Sequence, residues 1–189
     1  MLALYVRRSL AAALFTVAAL FGGVGAVPAG AASPDCGVTW GSLPKVHEAH
    51  SPSALADART GRHRCFDRLV FDFQGPATGY NVRYADHVYS EGKGDDLRIA
   101  GGAKLYLTLL EPAYDVQTGA VTYPHADGEH VANLRGYRTL RDVVYGGTFE
   151  GYTTFGVGVR ARLPFRVFTL TGPGDGSRIV VDVAHRWSR

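Results

Sequence analysis

Polar and apolar positions alternate along most of this chain. In the stretch "DRLVFDF", Asp67 to Phe73, an extended backbone puts Leu69, Phe71 and Phe73 on one face and Arg68, Val70 and Asp72 on the other. The same period of two returns in "YNVRYA", where Tyr80, Val82 and Tyr84 oppose Asn81, Arg83 and Ala85. In "AKLYLTLL", Leu105, Leu107 and Leu109 oppose Lys104, Tyr106 and Thr108. In "YTTFGVGV", Phe155, Val157 and Val159 oppose Thr154, Gly156 and Gly158. "TLRDVVYGG", "FRVFTL" and "SRIVVDVAH" read as further strands, and "EGKGDD", "RARLP" and "TGPGDG" as turns. "TGAVTYPHADGEH" reads as an irregular excursion, and "LPKVHEAHSPS" as a loop. "ALADARTG" suits a helix by its alanines and a strand by the Gly61 turn that follows; the strand reading is preferred. About seven short strands between Gly, Pro and Asp turns predict an all-β fold, an antiparallel β-sandwich. No β-helix-β alternation supports a doubly wound sheet.

Two of these segments match position by position. "RLVFDF" and "RIVVDV" align Arg68 with Arg178, Val70 with Val180 and Asp72 with Asp182. Antiparallel pairing brings Arg68 to Asp182 and Asp72 to Arg178, whereas in-register parallel pairing sets like charges opposite each other. The segments are therefore expected to be antiparallel neighbours, or else to hold equivalent places in different sheets.

The first residues lack the alternation. Arg7 and Arg8 precede an apolar run from Leu10 to Phe21, and Ala29, Ala31 and Ala32 offer small-residue cleavage positions. Residues 1–32 read as a secretory signal peptide. An uncleaved anchor is the competing reading, disfavoured by the Gly- and Pro-broken second half of the run. Residues 33–53 then form an N-terminal arm and 54–189 a single domain, with no later stretch able to span a bilayer. Without Arg7 and Arg8, 18 basic residues face 17 acids, a balance of +1 that gives no argument for nucleic acid. Cys36 and Cys65 are the chain's two cysteines, and in an exported protein they are expected to form a disulfide tying the arm to the entry of "DRLVFDF".

"CFDRLVFDFQGP", "FEGYTTFGVGV", "PFRVFTL" and "SRIVVDVAH", in that order behind a secretion signal, resemble the AMIN-like domain of secreted and lipid-anchored bacterial proteins, over roughly 54–185. The resemblance implies a β-sandwich that places proteins in the cell envelope by binding peptidoglycan or partners in envelope complexes, without catalysis. It implies no catalytic or ligand residues and no cofactor. The expected location is extracellular or cell-wall associated. The expected partner is a cell-wall glycan or peptide, or another exported protein.

Candidate chemistry is sparse. "HADGEH" offers His125, Asp127, Glu129 and His130, and "EGKGDD" offers Glu91, Asp95 and Asp96; neither spacing matches a metal motif, so both read as solvated loops. No G-x-S-x-G is present, and the serine of "GDGSR" is read as part of a turn. An Asp72/Asp182 acid–base pair is the one hydrolase-like arrangement, and each aspartate is better explained as an arginine's partner. For binding, one face of "EGYTTFGVGVR" holds Glu150, Tyr152, Thr154 and Arg160 around Gly156 and Gly158, a shallow trough suited to a glycan or its stem peptide. A face presenting Tyr106, Tyr145 and Tyr152 would instead favour a protein partner.

Overall fold

The computed structural model describes residues 36–188. The expected signal peptide lies outside them. Nine strands appear among the described residues: β1 (Lys45–His47), β2 (Ala54–Arg62), β3 (Phe66–Gln74), β4 (Tyr80–Ala85), β5 (Ala103–Leu109), β6 (Leu140–Phe149), β7 (Tyr152–Val159), β8 (Phe165–Thr171) and β9 (Ser177–Ala184). They form two antiparallel sheets, β1-β4-β5-β7-β6 and β2-β3-β9-β8.

The alternation explains the layers. Leu105, Leu107, Leu109, Phe155 and Val157 of the first sheet share one buried core with Leu69, Phe71, Phe73, Ile179, Val181 and Val183 of the second. The Phe71 and Phe155 rings meet across the interface with centroids 4.7 Å apart. Burying each such side chain contributes roughly 1.5–3 kcal/mol, so the shared inner faces are the main force joining the sheets.

"ALADARTG" is strand, as preferred, and is bulged between Leu55 and Asp57. Eight of the nine strands fall on the segments read as strands, and the ninth, β1, falls in the segment read as a loop. β1 has three polar or exposed residues and no alternation; it is a strand only because its backbone pairs Lys45–His47 with Tyr80–Val82 at the sheet edge. The arm is therefore part of the sandwich. Cys36 and Cys65 are joined, with Cα atoms 5.7 Å apart.

β3 and β9 are antiparallel neighbours in the expected register, Arg68 opposite Asp182 and Asp72 opposite Arg178. Since Leu69, Phe71 and Phe73 point inward, Arg68, Asp72, Arg178 and Asp182 stand on the outer face of the four-stranded sheet, while Asp67 shares the inward parity.

Candidate functional site

Asp182 is the centre of that outer face. Its side chain is fully buried, and two arginines hold it. Arg68 Nε and Nη2 donate to its two oxygens at 2.6 and 2.9 Å, a bidentate fork. Arg166, directly opposite on β8, donates through Nε at 2.9 Å. The hydrogen bond to Asp182 raises the Arg68 pKa above its ordinary value, against the opposing effect of burial. Both guanidinium groups lie over aromatic rings. Arg166 sits 4.4 Å from the Trp40 ring centre and 5.0 Å from that of Phe168; Arg68 sits 5.2 Å from that of Phe66. His63 stacks on Phe66 at 4.5 Å. One carboxylate thus locks two cations into an aromatic comb, with a net positive charge left over.

Beside the comb runs a groove of about 240 Å³, lined by Arg59, His63, Arg68, Val70, Leu170, Arg178 and Val180 among others. Val70 and Val180, both buried, form its apolar floor between the arginines. The expected Asp72–Arg178 pair does not form. Asp72 instead accepts from Arg59 Nε at 2.6 Å and Nη2 at 3.1 Å. The register supplies the reason. Asp57 of β2 lies directly opposite Asp72, and Arg59, diagonal to Asp72, is attracted by both carboxylates. Arg178 is left with one hydrogen bond, from Nη2 to the Thr171 carbonyl, and its Nε is buried without a protein partner.

The trough read from β7 is closed by the chain itself. Thr154 is completely buried and donates to the Glu91 carboxylate at 2.6 Å. A Cβ on Gly156 would fall 2.1 Å from Ile99 Cδ1, and one on Gly158 would fall 1.8 Å from the Ala100 carbonyl oxygen. The β4–β5 connection therefore lies on these glycines, and Val88, Leu97 and Val144 make a second, small apolar cluster beneath it. Of the other trough residues, Glu150 sits in the β6–β7 turn with a positive φ of 48°. Tyr152 is exposed against the His50 ring, and Arg160 donates to the His185 carbonyl at 2.6 Å. The three tyrosines do not share a face either. Tyr145 points into the core, where burial pushes its pKa up to about 12, while Arg83 packs over Tyr106 at 4.4 Å.

The two acidic loops also scatter their ligand-type groups. His125 pairs with Glu129 at 2.9 Å, Asp127 with Lys93 at 3.4 Å, and His130 with Asp142 at 2.8 Å. Asp96 pairs with His87 at 2.8 Å. Asp96, Lys104, His130 and Asp142 line a cavity of about 620 Å³, but no three His, Cys, Asp or Glu groups converge among the described residues. The "GDGSR" serine, Ser177, ties the sheet to the 75–77 loop: it donates to the Gly75 carbonyl at 2.6 Å and accepts from Ala77 N–H at 2.7 Å.

One unusual group has no signal in the sequence. Glu111, just past β5, is fully buried. Its Oε1 accepts from the Thr78 and Gly79 amides at 3.0 and 2.9 Å, and its Oε2 has no protein partner. Burial pushes its pKa up to about 7, although backbone N–H groups pull the other way.

Comparison with known proteins agrees with this architecture. The AMIN-like domain model matches residues 53–185, from just before β2 to just after β9. No curated protein and no solved structure matches the chain. Since the match covers well over half of the sequence and the whole four-stranded sheet, the chain belongs to the AMIN-like domain family.

Proposed function

We propose that this chain is an exported, non-catalytic module that binds peptidoglycan through the outer face of the four-stranded sheet. The family points to an envelope-related role, and the Cys36–Cys65 disulfide suits an oxidising compartment outside the cytoplasm. The observation that carries the reading is the comb with its groove. Trp40, Phe66 and Phe168 are half-buried under Arg166, Arg68 and His63, and together make a guanidinium–aromatic stack whose outer edge a sugar ring can pack against. Arg59 and Arg178 border a groove floored by valines, where a stem-peptide carboxylate can meet a guanidinium fork. Asp182 fixes Arg68 and Arg166, and Asp72 fixes Arg59, before a ligand arrives, so little freedom of these side chains is lost on binding.

The test is co-sedimentation with insoluble peptidoglycan, assaying both retained protein and released fragments. Arg59→Ala/Arg178→Ala removes two of the three groove arginines and leaves the third, Arg68, in an intact Asp182 cluster. Wild type should be retained without releasing fragments. The folded double variant should be retained at least about tenfold less, because two charge-assisted hydrogen bonds to the ligand are gone. Equal retention of the two proteins rejects this face. Release of fragments by the wild type rejects the non-catalytic reading.

A further inference from the structure

At the end of the sandwich where the disulfide sits is a second cleft, of about 390 Å³, lined by Arg62, Arg64, Asp67, Gly136, Arg138 and His185 among others. Its composition is one-sided. Arg62, Arg64 and Arg138 are exposed, and none of them forms a salt bridge among the described residues. The one carboxylate in the lining, Asp67, is only 1% exposed and already engaged. It accepts from the Thr139 and Leu140 amides at 2.5 and 3.1 Å through Oδ2, and holds His185 Nε2 at 3.0 Å through Oδ1. Its acceptor oxygens are taken, and one carboxylate charge against three guanidinium groups leaves the lining net positive.

The same bonds set the walls of the cleft. Arg62 ends β2, and the β2–β3 turn after it, which carries His63 and Arg64, is closed by the His63 amide donating to the Phe66 carbonyl at 3.0 Å and is tied to the arm through Cys65. The opposite wall, 136–138, runs into Thr139 and Leu140, which Asp67 fastens to the start of β3. Gly136 is bare where Arg62 comes close: a Cβ there would lie 3.1 Å from Arg62 Nη1. The other ring nitrogen of His185, Nδ1, is buried with no protein partner.

Solvated arginines on a turn ordinarily spread apart, because like charges around one cleft repel each other. Here a disulfide and a buried aspartate hold them on facing walls. We propose that this cleft is an oxyanion site for a phosphate group. One carboxylate is satisfied by a single guanidinium fork, whereas a phosphate presents enough oxygens and charge to engage arginines from both walls together. Arg64 and Arg138 are the specificity-determining pair, and Asp67 is a positioning residue. The site shares His63 with the groove on the sheet face but none of its arginines.

The test is calorimetric titration of the oxidised protein with inorganic phosphate, against chloride at matched ionic strength. Wild type should bind with one-to-one saturation. Arg64→Ala/Arg138→Ala should bind at least about tenfold more weakly with unchanged far-ultraviolet circular dichroism, since each alanine removes a charge-assisted hydrogen bond to the anion. Arg178→Ala, in the sheet groove, should bind as wild type does. Heats equal to those of chloride, or full affinity in the Arg64/Arg138 variant, overturn the site. Loss of phosphate binding in Arg178→Ala also overturns it, because the anion would then sit in the groove. Two further arms identify the bearer of the phosphate. Retention on phosphate-polymer-bearing walls but not on acid-stripped ones, abolished in the Arg64/Arg138 variant, assigns a wall polymer. Arginine-dependent binding to phosphatidylglycerol vesicles assigns a lipid headgroup.

Discussion

Glu111→Gln is the perturbation whose outcome the structure fixes most closely. The carboxyl is fully buried and its pKa rises from the ordinary 4.5 to about 7. Between those two values the folded protein holds a proton that the unfolded chain has released. Stability from this group is therefore complete below about pH 4.5 and is lost as the pH climbs through 7. That rise, at about 1.36 kcal/mol per pH unit, puts the loss at ~3 kcal/mol, equivalent to about 6–12 °C in melting temperature for a domain of this size. Glutamine keeps an acceptor for the Thr78 and Gly79 amides and cannot ionise. It also places an NH2 where Oε2 has no partner, which adds a cost that does not vary with pH. The measurement is urea unfolding of both proteins, disulfide intact, at intervals from pH 4 to 8. The difference between the curves should move by about 3 kcal/mol in favour of glutamine between pH 4.5 and 7.5. Other titrating groups cancel in that difference. Parallel curves across the range would refute the burial argument for Glu111.

Three further outcomes follow from the same packing. Asp182→Ala should cost about 3–5 kcal/mol in urea unfolding, because it strands Arg68 and Arg166. Asp72→Ala should cost under about 1 kcal/mol, because its partner Arg59 is half exposed. Gly158→Ala, whose new methyl would meet the Ala100 backbone, should cost about 2–3 kcal/mol by the same assay; Gly156→Ala should cost less, because it meets the Ile99 side chain, which can move, and no backbone. Replacing Cys36 and Cys65 by Ser opens a loop spanning 29 residues and should cost roughly 3–4 kcal/mol.

The alternation of β3, β5, β7 and β9 was legible because each strand has one face in the core, and burial writes a period of two into sequence. The β3–β9 register was legible too, through the mirrored Arg and Asp positions. What escaped depends on contacts between distant segments. β1 has no buried face to pattern it. The bare glycines of β7 read as a trough for a ligand, and only the folded chain shows that the Ile99 side chain and the Ala100 backbone lie against them. Arg59 could not be paired with Asp72 without the β2–β3 register, which the bulge after Leu55 shifts. Glu111 reads as an ordinary polar residue after a strand, since nothing local tells a buried acid from a solvated one.

The most direct test of the central claim is amide shift mapping of the isotopically labelled domain titrated with soluble peptidoglycan fragments. Shifts should concentrate on the outer positions of β3, β8 and β9, around Arg68, Val70, Phe168, Arg178 and Val180, with the fragments left intact. Shifts centred instead on Tyr152 and the β6–β7 turn, or cleavage of the fragments during the titration, would contradict it.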